Sequence, residues 1–233
     1  MNVTLRGRRY DLCVSVPALD LLAFERPLLS RGEVVVGLDE VGRGALAGPM
    51  TVGAVVITED ARPPVGLTDS KALTPKRREA LVEPLERWAG DWSLGSVSAI
   101  EIDRWGLRLA LAVAATRALD GLRLVPTFAL IDGSFNLLNA PLRFSDDHLD
   151  PPTLHYADLA HTTIIKGDSR SGTIAAASVL AKVQRDRTMK HLALEFPEYG
   201  WDANKGYGAP RHLAALVNEG PCGQHRMTWR LTS

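Results

Sequence analysis

The chain has 233 residues, 45% hydrophobic and 23% charged, a balance that excludes wholesale disorder and suits one large domain. Lys+Arg and Asp+Glu are each 27, so the formal net charge is zero and a strongly basic, histone-like binder is excluded. No apolar run approaches the roughly 20 residues of a membrane-spanning helix, and Cys13 and Cys222 lie near opposite ends with no CxxC or Cys/His cluster, which excludes a disulfide framework or a cysteine-built zinc site and suits a reducing cytoplasm.

Residues 1–31 are of mixed polarity. Their most apolar stretch, Val14 to Leu29, is broken by Asp20, Glu25, Arg26 and two prolines, unlike a signal peptide. A short helix is expected near Ala18–Phe24. Val34 to Leu38 reads as a buried strand ending in Asp39-Glu40, with Gly42, Gly44 and Gly48 in the turn that follows. Met50–Ile57 is a second strand, and the short connection favours an antiparallel pair. Thr74 as cap and Pro75 at the first helical position open a helix to about Trp88. Trp92–Val97 is a third strand and Ala99–Leu122 a long helix. Phe128–Ile131 ends in Asp132-Gly133, and Thr162–Ile165 ends in Lys166-Gly167-Asp168. Thr173 to about Glu195 is a helix, with Ala176, Val179, Leu180 and Val183 on one face. A last helix spans Pro210 to about Asn218. This order predicts an α/β fold: a mixed sheet, part antiparallel meander and part helix-linked parallel strands. Asn139–Leu159, rich in Pro, Asp and His, reads as a long loop.

The charge is unevenly spread. Lys71, Lys76, Arg77 and Arg78 cluster, and Lys166, Arg170, Lys182, Arg185, Arg187 and Lys190 outweigh Asp168 and Asp186 over their stretch. Basic stretches beside acidic motifs suggest a polyanion gripped around a carboxylate centre, although solvated helix faces give the same pattern. Three strands run into an aspartate: Asp39 (followed by Glu40), Asp132 and Asp168. Strand ends of an α/β sheet face a common crevice. Converging carboxylates raise one another's pKa, and divalent cations relieve the repulsion. Oxygen-only ligands favour Mg²⁺ or Mn²⁺ over zinc, and two such ions about 4 Å apart serve in-line phosphodiester hydrolysis. Adjacent strand residues point to opposite faces, so for Asp39 and Glu40 to serve one site the pleat must break there. For a lone Asp-Gly, turn chemistry is the plainer explanation.

The blocks Asp39-Glu40-Val41-Gly42-Arg43-Gly44, Asp69-Ser70-Lys71, Leu130-Ile131-Asp132-Gly133, Lys166-Gly167-Asp168, Ala175 to Val183 with Arg185-Asp186, and Lys205-Gly206-Tyr207 together resemble ribonuclease HII, from about Gly32 to Arg226. The resemblance implies a ribonuclease H-like catalytic domain over 32–196 and a C-terminal helical segment over 197–233 that contributes to substrate recognition; 1–31 stays unassigned. It implies an endoribonuclease that cleaves the RNA strand of RNA–DNA hybrids and incises duplex DNA 5′ of embedded ribonucleotides, using Mg²⁺ or Mn²⁺, two ions in the catalytic complex. The metal-binding acids would be Asp39, Glu40, Asp132 and Asp168. Gly42-Arg43-Gly44 would read the ribose 2′-OH, the sugar feature that separates RNA from DNA. Arg43 would pair with the scissile phosphate, or else with a neighbouring acid. Tyr207 would stack on the deoxyribose 3′ of the ribonucleotide. Thr68, Ser70 and Lys71 would form a phosphate-contacting turn, and Lys166 and Ser169 would touch the backbone. The Ala-rich helix reads as close packing. A monomer acting in the cytoplasm, away from membranes, is expected.

Three departures qualify the resemblance. Ala72 stands where the family often has a second lysine, Ser145–Ala160 lengthens the interval between Asp132 and Asp168, and little chain follows His225-Arg226. From another class, the alternative is a catalytically inactive hybrid-binding module, against which the presence of all four acids speaks.

Overall fold

A computed structural model describes residues 20–59, 62–139 and 153–231, and the backbone of a short antiparallel pair, β1 (Val3–Leu5) and β2 (Arg8–Tyr10). Then follow α1 (Arg26–Leu29), β3 (Val35–Val41), β4 (Met50–Ile57), α2 (Pro75–Trp88), β5 (Asp91–Val97), α3 (Ala99–Asp120), β6 (Phe128–Asp132), β7 (Ala160–Ile164), α4 (Gly172–Glu195), α5 (Trp201–Asn204) and α6 (Pro210–Asn218). The sheet order is β5-β4-β3-β6-β7. Strands β5, β4 and β3 form the antiparallel meander, and β3, β6 and β7 run parallel.

Side-chain alternation explains the layers. Val36, Leu38, Val52, Ala54 and Val56 pack against α3, whereas Val55 meets α2 and α4, and Val35 meets Ile174 of α4. Every residue of β4 is buried, as expected for a central strand covered on both faces. The Ala-rich stretch of α4 is indeed close packing. A Cβ at Gly37 would meet the Thr173 carbonyl carbon at 2.3 Å, and one at Gly53 the Ala177 carbonyl oxygen at 2.4 Å. Thr74 caps α2 by accepting from the Arg77 amide at 3.3 Å.

Several expectations need correction. The helix near Ala18–Phe24 is replaced by turns over 21–25 and then α1; Asp20 turns the chain by accepting from the Leu22 amide, and Pro27 favours the first helical turn. Helix α3 breaks at Gly106, where φ is 72° and ψ 160°, a conformation open to glycine. The pleat does not break at Asp39-Glu40: Asp39 sits opposite Gly53 and Glu40 opposite Val52 in an unbroken ladder. The last parallel strand begins at Ala160 and ends at Ile164. Of the long loop, 155–158 forms a turn; Asp146, Asp147, His148 and Asp150 lie outside the described residues, as does Cys13.

Residues 20–29 pack onto the sheet domain. Glu25 is fully buried, and its Oε1 accepts from the Ser171 hydroxyl at 2.6 Å and from the Thr173 amide and hydroxyl at 3.0 and 2.9 Å, capping α4 from outside the helix. At its other end α4 reaches the C-terminal segment, where Met189 packs with Ala47, Tyr199, Trp201 and Leu216. Among the described residues no helix is long and apolar enough to cross a membrane.

Candidate active site

Strand register builds the centre. In the parallel pair, Gly37 lies beside Leu130 and Leu38 beside Ile131, so the next step along both strands sets Asp39 beside Asp132. Both then share the α4 face of the sheet, since Gly37 and Leu130 do. Asp168 arrives on a single 3₁₀ turn, Gly167–Ser169, entered through Lys166 at φ 56° and ψ 43°. Asp132 Oδ1 accepts from the Gly167 amide at 2.7 Å and the Asp168 amide at 3.4 Å, tying that turn to β6. As a result, one carboxylate oxygen from each of Asp39, Asp132 and Asp168 lies within 4.8 Å of the others.

This grouping is electrostatically costly. Burial pushes Asp39 up to about 8, and the carboxylates of Asp132 and Glu40 push the same way; a hydrogen bond from Ser178 and the charge of Lys71 oppose them. Burial also raises Asp168, with Asp132 and Asp69 adding, while Lys71 Nζ stands 3.3 Å from its Oδ2. Three hard oxygen donors, two of them deeply buried, on crowded carboxylates match what a divalent cation of the Mg²⁺ or Mn²⁺ type requires.

The remaining predicted residues divide. Glu40 is not among the three acids whose oxygens lie within 4.8 Å of one another, although its charge reaches Asp39 and Asp132; Arg43 Nη1 approaches it at 3.5 Å, and burial is the main cause of its raised pKa, with Asp132 adding. Arg43 therefore takes the acid-pairing alternative while keeping half its side chain exposed. Gly42, at φ 86°, has no room for a side chain: a Cβ would sit 2.1 Å from Arg185 Nε. Gly44 has no other atom within 4 Å of that position. The Arg43 and Gly44 amides donate to no protein acceptor among the described residues. Lys71 and Lys166 are exposed, and Thr68 is half-buried. Ser70 is buried with its hydroxyl 2.8 Å from that of Ser178, so a contact from Ser70 to substrate is left to its backbone. The Ser169 hydroxyl donates to the Lys166 carbonyl at 2.9 Å.

Tyr207 is 38% exposed, and its turn is stitched to the glycine loop: the Leu46 and Ala47 amides donate to the Gly206 carbonyl at 2.8 and 3.2 Å. Sequence reasoning missed what lies beneath. Arg185 and Arg226 are fully buried under this loop, and His212 and His225 are buried behind Tyr207 with their Nε2 atoms 3.0 Å apart. Ser178 lies with Lys182 in the Ala-rich run, Arg185 follows that run, and His225-Arg226 stands at the end of the region of resemblance. Sequence alone does not show which carbonyls they meet.

A family model described as ribonuclease HII matches residues 36–232. Ribonuclease HII of Streptomyces avermitilis is 45% identical over 197 residues, covering 84% of this chain and 77% of that protein. Ribonuclease HII of Burkholderia pseudomallei is 44% identical over 213 residues, covering 91% and 87%. Among solved structures, ribonuclease H2 from Pyrococcus horikoshii superposes with a TM-score of 0.62 at 29% identity, covering 84% of this chain and 94% of that one. Because these matches span the sheet, the aspartates gathered at its edge and the C-terminal segment alike, the chain belongs to the ribonuclease HII family of nucleases, which cleave the RNA strand of RNA–DNA hybrids.

Proposed function

We propose that this enzyme, besides cleaving the RNA strand of hybrids, incises duplex DNA on the 5′ side of an embedded ribonucleotide, with two Mg²⁺ or Mn²⁺ ions in the catalytic complex. The observation that carries the reading is the juxtaposition of the aspartate triad with a glycine loop that offers free amides and is stitched to an exposed tyrosine. Asp39, Asp132 and Asp168 would hold the ions, with Glu40 at the margin. Bound there, such ions supply a hydroxide-like nucleophile at neutral pH and neutralise charge building on the phosphate oxygens.

The chain's own groups do the rest. Lys71, beside Asp168, brings a cation to the phosphate, and exposed Lys166 lies on the same turn. Gly44, open in front, lets a sugar approach the main chain, and the Arg43 and Gly44 amides are donors for a 2′-oxygen. Tyr207 offers a flat ring for the next sugar, on which a hydroxyl would intrude.

The test is cleavage of an end-labelled duplex carrying one ribonucleotide, with and without Mg²⁺ or Mn²⁺. The expected result is a metal-dependent cut 5′ of the ribonucleotide, leaving a 3′-OH and a 5′-phosphate. A 2′,3′-cyclic phosphate would mean that the 2′-OH is the nucleophile and would overturn the reading.

A further inference from the structure

Arg185 and Arg226 are each fully buried, and among the described residues neither is ion-paired with a carboxylate. Burying a guanidinium without a counter-ion is costly, so what each binds instead is informative. Arg226 Nη1 donates to the Arg43 carbonyl at 2.8 Å, and its Nη2 donates to the carbonyls of Gly42 at 2.6 Å and Gly48 at 3.3 Å. Arg185 donates from Nε to the Pro49 carbonyl at 2.7 Å, from Nη1 to Lys205 at 2.9 Å and from Nη2 to Ala47 at 3.2 Å. Two planar forks thus gather six carbonyls, five from the 42–49 loop and one from the turn before Tyr207.

The consequence follows from peptide geometry. No peptide bond here is cis, and in a trans unit the carbonyl of one residue and the amide N–H of the next point in opposite directions. Holding the Gly42 and Arg43 carbonyls inward therefore turns the Arg43 and Gly44 N–H groups outward. Both amides donate to no protein acceptor among the described residues. Arg185 occupies the space a Gly42 side chain would need, and its guanidinium carbon lies 5.5 Å from the centre of the Tyr207 ring. The same pair of forks therefore fixes the direction of the loop donors and their spacing from Tyr207.

We infer that Arg185 and Arg226 are positioning residues for ribose recognition: they aim the Arg43 and Gly44 amides at the sugar hydroxyl and hold Tyr207 in register with them. The inference rests on the reading above that this loop meets the 2′-OH. A purely structural role would be to fasten the C-terminal segment to the sheet domain. The Arg226 amide also donates to the Leu46 carbonyl at 3.0 Å, a bond that any residue at 226 would keep.

The experiment compares single-turnover cleavage of two duplexes that differ only at one sugar, 2′-hydroxyl or 2′-fluoro. Fluorine keeps the size of the group but is a poor hydrogen-bond acceptor. Wild type should favour the hydroxyl strongly. Arg226→Lys keeps the charge without the planar fork and should shrink the hydroxyl-to-fluoro rate ratio tenfold or more; Arg185→Lys, measured in parallel, should shrink it too and stands in should the first variant not fold. Leu216→Ala loosens the C-terminal core without touching a loop carbonyl, and should keep the wild-type ratio. An unchanged ratio in the arginine variants, or an equal fall in Leu216→Ala, overturns the inference while leaving the loop reading intact. A wild-type enzyme that does not distinguish the two sugars overturns the loop reading itself, and the inference with it.

Discussion

Asp39 is the residue at which chemistry and stability conflict most directly. Burial pushes its carboxyl up to about 8, far above the 3.8 usual for an aspartate. Folding is thus easiest when the group is protonated: its contribution is complete below the unfolded pKa and is lost as pH rises through the folded one. At pH 8 without divalent ions, Asp39→Asn should be more stable than wild type, by up to about 5 kcal/mol, and the gap should narrow towards pH 5. Metal-dependent cleavage should be lost in the same variant. Denaturant melts in chelator at the two pH values check this, and a variant no more stable than wild type at pH 8 would remove the strain argument. The loop glycines give a second contrast. Gly42→Ala meets both a φ of 86° and the Arg185 side chain, and should cost about 2 kcal/mol or more. Gly44→Ala should change stability by no more than about 1 kcal/mol, because nothing of the protein lies in front of it. If the open space receives a sugar, it should still lose at least tenfold in cleavage rate; normal rates with a normal melt would take the sugar away from Gly44. The acids were legible because their motifs stand at strand ends. The division of labour between the glycines was not, because it depends on an arginine more than a hundred residues away in sequence.

Elements are legible in the sequence where local chemistry specifies them. The Thr74-Pro75 start of α2, the whole of β4 and the span of α6 appear as expected, because caps, prolines and apolar runs are local signals. The break in α3 was hidden because a lone glycine in a helical pattern is usually tolerated, and here it takes a positive φ. The N-terminal capping of α4 was equally hidden. Ser171 accepts from the Ile174 amide at 3.3 Å, as a local cap should, yet the Thr173 amide is satisfied by Glu25, nearly 150 residues earlier. Glu25→Ala would strand the Thr173 amide and leave the Ser171 and Thr173 hydroxyls only each other, 3.1 Å apart, in a buried site, at a cost of about 2–4 kcal/mol. Glu25→Gln keeps an acceptor oxygen and should lose less than half as much. Urea unfolding of the two variants decides, and an alanine variant within about 0.5 kcal/mol of wild type would show that water replaces the carboxylate. The short turn to Asp168 ends where this cap begins, so the alanine variant should also weaken cleavage.

At the scale of the molecule, the sheet domain carries the acids and the C-terminal segment carries Tyr207, and the 42–49 loop joins them. The union depends on two buried histidines being neutral. The Cys222 amide donates to His225 Nδ1 at 2.9 Å, so the His225 proton sits on Nε2 and is given to His212 Nε2 at 3.0 Å. His212 Nε2 also accepts from Trp201 Nε1 at 3.1 Å, leaving its Nδ1 proton for the Tyr207 carbonyl at 2.9 Å. A second proton on His212 would set its Nε2–H against that of His225, and one on His225 Nδ1 would face the Cys222 amide with only the Cys222 carbonyl, 3.3 Å away, to take it, in a site with no carboxylate among these partners. Burial, with the neighbouring His212 adding, accordingly lowers His225 to about 4 from the 6.5 usual for a histidine. Between those values the unfolded chain holds a proton that the folded one refuses, so this histidine makes stability fall as pH falls from about 6.5 to 4, by about 3 kcal/mol in all. Asp39 works in the opposite direction over all of that range, so the pH profile of wild type alone does not isolate the effect. The comparison with His225→Gln does. Glutamine keeps an N–H donor for His212 but does not titrate, and Asp39 is common to both proteins. At pH 7 the variant should be the less stable, having lost the acceptor for the Cys222 amide, and the difference should shrink or reverse by pH 4.5. Parallel curves for the two proteins across that interval would mean that the C-terminal segment stays docked with a charged histidine, and that the neutral pair is not what holds Tyr207 in place.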